Sequence, residues 1–223
     1  MMALKLKIPP ASEPLTLSEA KAYLRISDTD DDALISALIS AVRQKFEDWA
    51  RRSLITQTWT LWLDGLPNDA HSPQRLEGVF DFPVHLYERF CRTIEIPRGP
   101  LQAVTFFKTY DTADTAAVFD SSNYQVDAAS VPGRIALKQT AAWPSGLREV
   151  NAVEIEFVAG YGNAADVPEP VKQGMLVWIK LLFAGKSKLF ESDEATPGLL
   201  EFNRESIPVA VKALWQPYRI DKL

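Results

Sequence analysis

Leu34, Ile35, Leu38, Ile39, Val42, Phe46 and Trp49 recur at spacings of one, three and four, and Arg43, Gln44, Lys45, Glu47, Asp48, Arg51 and Arg52 fall largely off that stripe. This is the period of a helix with one apolar face, introduced by the run Asp30 to Asp32, whose charge suits a helix N-terminus. Burying such a stripe contributes on the order of 10 to 20 kcal/mol before ordering entropy is subtracted. It must therefore find a partner, within the chain or on another subunit. Just upstream, Thr16 stands three residues before Glu19, the spacing of a capping box, which predicts a short helix over Leu17 to Ile26.

The texture changes at Ile55. Ile55, Trp59, Leu61 and Leu63 alternate with Thr56, Thr58 and Thr60, the two-residue period of a strand. Further strands are expected over Thr93 to Pro97, Ala103 to Tyr110, Tyr124 to Asp127, Arg134 to Leu137 and Ala152 to Gly160. In the last, Val153, Ile155 and Phe157 face one way and Glu154 and Glu156 the other. Residues 65–92 hold scattered prolines, glycines and aromatics and read as a long loop. Helical character returns after Pro168, with Val171, Met175, Val177, Trp178, Leu181 and Leu182 as its apolar band, and Gly185 to Lys188 as its expected end. Phe190 to Arg204 reads as a mobile loop, and Val209 to Trp215 as a last short helix. Helices, sheet, helices in that order predict an α+β protein with a central, mostly antiparallel β unit. The expected parts are 1–54, 55–166 and 167–223, the first and third forming one helical domain.

Chemistry finds little foothold in these residues. Asp28, Asp30 and Asp32 have the spacing of the first calcium-loop ligands, but Ala33 replaces the required glycine and Ile39 the closing glutamate, so capping carboxylates are the better reading. His71, His85 and Cys91 lack the close spacing of metal ligands. No nucleophile elbow or phosphate-binding glycine loop occurs, and Gly160-Tyr161-Gly162 reads as a turn with one glycine at positive φ. No metal and no cofactor are expected. A hydrolase or lyase using His71, His85 and Asp81 beside the β unit is the enzymatic alternative.

The net charge of −5 argues against a chain whose main task is gripping nucleic acid. DNA can still pass nearby, because an acidic lining repels phosphates. One cysteine excludes an intrachain disulfide, and no apolar run is long enough to span a bilayer. Residues 1–10 carry Lys5 and Lys7 without a following apolar core, so no secretory signal is expected and the protein is assigned to the cytoplasm where it is made. Lys186 and Lys188, placed on a loop, are the candidates for touching a phosphate backbone. Of six tryptophans, Trp49 and Trp59 belong to core faces, whereas Trp62, among threonines, and Trp143, in an irregular loop, are interface candidates.

Taken in order, several short segments resemble the head-tail connector, or adaptor, proteins of long-tailed bacteriophages, prophages and gene transfer agents. They are Pro14 to Lys21 with Leu24-Arg25-Ile26, Arg52 to Trp59, Ile96 to Leu101, Tyr124 to Asp127, Pro132 to Ile135, Phe157 to Gly162 and Val211 to Arg219. The resemblance implies a structural, non-catalytic virion protein of the neck, assembled in the bacterial cytoplasm. It would form a homo-oligomeric ring, a dodecamer in the particle, beneath the portal protein. The ring would extend the DNA channel and carry a stopper or other tail-proximal protein, with genomic DNA passing unread and no membrane involved. A stopper role in the same neck is the alternative.

The resemblance also makes the segment from Val209 to Leu223 the portal-facing candidate, with Trp215, Tyr218, Arg219 and Ile220 as its contact residues. A ring needs two different sticky surfaces on each copy. The charged face of the long helix, through Arg43, Lys45 and Arg52, is expected to meet a neighbour, as are Trp62 and Trp143.

Overall fold

The computed structural model describes residues 2–67, 92–191 and 207–220, with the backbone alone for 186–191. It divides into two units, one formed by Met1–Pro10 with Thr56–Gly160 and the other by Ala11–Ile55 with Tyr161–Leu223.

The second unit is helical, made of α1 (Leu17–Leu24), α2 (Asp32–Ala50), α3 (Glu169–Glu191) and α4 (Val209–Trp215). Thr16 and Glu19 form the expected capping box. The Glu19 amide donates to the Thr16 hydroxyl at 3.2 Å, and the Thr16 amide donates to the Glu19 carboxylate at 2.7 Å. Thr16→Ala removes one half of that exchange and is expected to lower stability by about 1 kcal/mol, read from the shift in urea midpoint. The helix ends at Leu24, two residues earlier than the apolar pattern suggests. Arg25 takes the left-handed conformation at φ 60°, and its amide and that of Ile26 turn back onto the carbonyls of Ala22 and Lys21.

The α2 stripe meets the C-terminal helices. Ile35, Ile39, Val42 and Phe46 are buried with Val171, Met175 and Ile179 of α3 and Val211 and Trp215 of α4. Ile55, expected in the following strand, belongs to this core, and the strand begins at Gln57. α3 runs on to Glu191, through Gly185 and Lys186 to Lys188, where its end was expected. An internal glycine costs a helix only about 1 kcal/mol, and no proline intervenes to stop it. The loop expected over 190–204 lies outside the described residues beyond Glu191.

The first unit is a pair of antiparallel sheets. A five-stranded sheet runs in the order β1 (Met2–Ile8), β2 (Gln57–Leu63), β8 (Val153–Ala159), β4 (Leu101–Tyr110) and β5 (Ala116–Val118). A three-stranded sheet runs in the order β3 (Thr93–Glu95), β7 (Arg134–Leu137) and β6 (Tyr124–Asp127). Trp59 stands opposite Phe157 and Leu61 opposite Ile155, so one face of the large sheet is continuous apolar surface. It shares a core with Ile94, Tyr124, Ile135 and Leu137 of the small sheet.

Residues 2–8, expected to go with the helices, are thus the edge strand of this sheet. Leu4 and Leu6 alternate with Lys5 and Lys7, a strand signal that is short but visible in the sequence. Residues 68–91, which include most of the expected long loop, lie outside the description.

On the turn from β6 to β7, Asp127 accepts from the Ser130 hydroxyl at 2.7 Å, the Ser130 amide at 3.1 Å and Arg134 Nε at 2.9 Å. The Ser130 hydroxyl first, then its amide and Arg134, hold the carboxyl down to about 2. A depressed folded-state value means the stabilisation is complete above the unfolded value near 3.9 and is lost as pH falls through about 2. An NMR titration is expected to show an Asp127 midpoint near 2, and Ser130→Ala to move it upward.

Candidate interaction surfaces

The expected interface residues separate into those used inside a unit and those left at a surface. Arg43 is only 7% exposed. Its Nε donates to Glu13 at 2.7 Å and its NH1 to Glu47 at 2.9 Å, while the other Glu47 oxygen accepts the Leu54 amide at 2.8 Å. The expectation that Arg43 meets a neighbour is therefore corrected: it ties the segment before α1 and the end of α2 together. Its i,i+4 spacing to Glu47 was the available sequence signal.

Arg52 is also turned inward. Its Nε donates to the Tyr218 carbonyl, NH1 reaches the Tyr161 hydroxyl at 3.2 Å, and the guanidinium lies 5.9 Å from the Tyr161 ring centre. The C-terminal segment is held from the same side. The Ile220 amide donates to the Ala50 carbonyl at 3.0 Å, and the Arg219 guanidinium sits 5.3 Å from the Trp49 ring centre.

Among the expected portal-facing residues, Trp215 is fully buried and Ile220 nearly so, Tyr218 is half-buried against the helical core, and Arg219 is exposed. Trp215 is corrected from a contact residue to a core residue, because α4 lays its indole among Phe46, Trp49 and Trp178 at 4.8, 6.3 and 5.5 Å. Ile220 is corrected likewise, since the clasp on α2 buries it. Lys45 lies exposed on α2. Lys186 and Lys188 fall within α3 instead of a loop, and their side chains lie outside the description, as do His71, Asp81, His85 and Cys91.

In the sheet unit, Trp143 packs 6.0 Å from Phe107 and 5.7 Å from Phe119, closing the end of the core while remaining partly exposed. Trp62 does lie on the outer face of the five-stranded sheet, beside Tyr110 at 5.9 Å. Around this pair, Arg148 stands 4.2 Å over the Tyr110 ring, and Lys7 pairs with Glu156. The Tyr110 hydroxyl donates to Glu154 at 2.7 Å, and that bond raises the phenol above its ordinary value. Every charged group named here has an opposite charge or a ring beside it, an arrangement suited to holding a surface in shape.

Of the calcium-like acids, Asp32 is paired with Lys21 at 2.6 Å, and Lys21 also donates to the Asp28 carbonyl. Among the described residues no group of three or more histidine, cysteine or acidic side chains is placed to hold a metal ion, and no described helix is long and apolar enough to cross a membrane. Gly160 and Gly162 both take positive φ, 141° and 129°, where one such glycine was expected, and Tyr161 between them packs on the helical core.

The two units have separate cores, and their conspicuous polar side chains brace loops and termini. Residues 14–128 match the family model described as phage gp6-like head-tail connector protein, and the chain belongs to that family. It is a structural head-tail connector. No curated protein matches it. Solved structures do. A chain in the neck of an empty gene transfer agent particle computed with C6 symmetry superposes with a TM-score of 0.66 at 19% identity, covering 100% of this chain and 97% of that one. A chain in the virion of the native gene transfer agent particle gives 0.67 at 17% identity, over 99% and 96%. One in the native neck computed with C12 symmetry gives 0.61 at 18%, over 100% and 97%. At these identities the likeness is one of fold, and it extends over both units.

Proposed function

We propose that this protein is the adaptor ring of a tailed phage or phage-like particle, seated beneath the portal protein, lengthening the DNA channel and carrying the next neck protein. The observation that carries the reading is family membership joined to a full-length fold match with a chain from a neck computed with C12 symmetry. That parallel supports a dodecamer. The net charge of −5 suits a wall past which DNA slides without sticking. The work is mechanical and non-catalytic, and the protein acts in the virion neck after assembly in the host cytoplasm.

Lys45, Trp62 and the exposed part of Trp143 are the retained candidates for subunit contacts, and Tyr218 and Arg219 for the portal side. Arg52 contributes indirectly by fixing the carbonyl of Tyr218. Electron microscopy of purified particles is the test. Density for this chain directly against the portal supports the adaptor reading, density one ring further toward the tail makes it a stopper, and absence from the particle overturns both.

A further inference from the structure

The five-stranded sheet ends in two unlike edges, and they complement each other. β1 pairs with β2 alone, and among the described residues no strand covers its outer edge. Leu4 stands opposite Leu61 and Leu6 opposite Trp59, so these side chains, with Met2, point to the core side of the sheet. Only Leu4 is packed there. Met2 is 55% and Leu6 40% exposed, so large apolar side chains continue past the point where the core layer stops.

At the opposite end, β5 pairs with β4 alone and presents Ala116, Ala117 and Val118, all exposed. Ala117 stands opposite Thr109, which is 5% exposed, so it too faces the core side. One edge thus offers bulk and the other room. The charges agree as well: β1 carries Lys5, whereas exposed Asp111 precedes β5 and exposed Asp120 follows it, Lys7 and Asp114 being paired within the subunit with Glu156 and Arg148. An open strand edge carrying exposed apolar side chains is a template for strand addition.

We infer that the β1 edge of one copy adds to the β5 edge of the next, with Leu6 seated beside Ala117, so that the sheet continues from subunit to subunit. The partner is a second copy of this chain. The contact is heterologous, joining two different edges, which is the kind that closes into a ring. Five strands advance the perimeter by about 24 Å per copy, at roughly 4.8 Å per strand. Lys5 on the outer face then lies near the acids that bracket β5. This inference rests on the ring reading given above and names the surface that makes the ring.

Cross-linking tests it on the full chain with Cys91 replaced by serine. Leu6→Cys combined with Ala117→Cys is expected to give, on oxidation, a ladder of covalent species beyond the dimer, whereas either cysteine alone gives dimers at most. Leu6→Lys, at an exposed position, is expected to keep the circular dichroism spectrum and melting temperature while weakening self-association at least tenfold. Association without a ladder, or association unchanged by Leu6→Lys, overturns the inference. So does a chain that stays monomeric at every concentration measured. None of these outcomes touches the connector reading, which fails only if particles lack the protein.

Discussion

Replacing Trp215 by alanine is expected to cost the protein about 3 to 5 kcal/mol, the range for a large aromatic lost from a packed core. The side chain is fully buried, meets the Phe46 ring edge-on at 4.8 Å, and donates its indole N–H to the Val171 carbonyl at 3.2 Å. Truncation leaves a cavity and removes the hydrogen bond that ties α4 to α3. The same indole explains Gly174, where an added Cβ would lie 2.2 Å from Trp215 Nε1.

Gly174→Ala alone is therefore expected to destabilise by about 1 to 3 kcal/mol through overpacking. In the Trp215→Ala background the clash disappears, and alanine's better helix propensity, about 1 kcal/mol, is expected to dominate. The sign of the Gly174→Ala effect should reverse between the two backgrounds. Urea unfolding of the four proteins gives the coupling directly. Additive effects would show that Gly174 is not reserved for the indole.

Glu47→Ala is expected to be comparably damaging, again about 3 to 5 kcal/mol, because it breaks a buried ion pair from one side. Glu47 is 4% exposed, and its two oxygens serve Arg43 and the Leu54 amide. Its removal leaves Arg43 with Glu13, whose side chain is 31% exposed, and takes from the buried Leu54 amide its acceptor. The loss comes mostly from polar groups left unsatisfied, so a shape-matched apolar replacement of both Arg43 and Glu47 is expected to restore only the part owed to the stranded guanidinium, because the Leu54 amide still lacks its acceptor. Chemical denaturation of the single and double variants checks this. A single variant within 1 kcal/mol of the parent would place the pair's energy elsewhere.

Residues of the α2 stripe were legible as core because burial of one helical face imposes a period on the sequence itself. The capping box and the alternation of β8 were legible for the same reason, since each is written within a few consecutive residues. Arg43 and Trp215 were not. Both have the composition of interface residues, and only the arrival of Glu13 on one and Phe46 and Trp178 on the other turned them inward. The collinear segments that resemble the connector family agree with the family match over 14–128, yet none of them indicates which side chains face outward.

The sequence by itself determined the α+β class, most of the strands and helices, the joining of α2 to the C-terminal helices and the connector family, because periodicity, caps and ordered motifs are local properties of the chain. Tertiary structure alone decided that residues 2–8 close one end of a sheet whose other strands begin fifty residues later, and that Arg52 clasps the C-terminal segment. It also decided which charged residues remain at the surface. Those outcomes depend on pairings between residues far apart in the chain, where the hydrogen-bond partner and the exposure of a side chain are set by what folds against it.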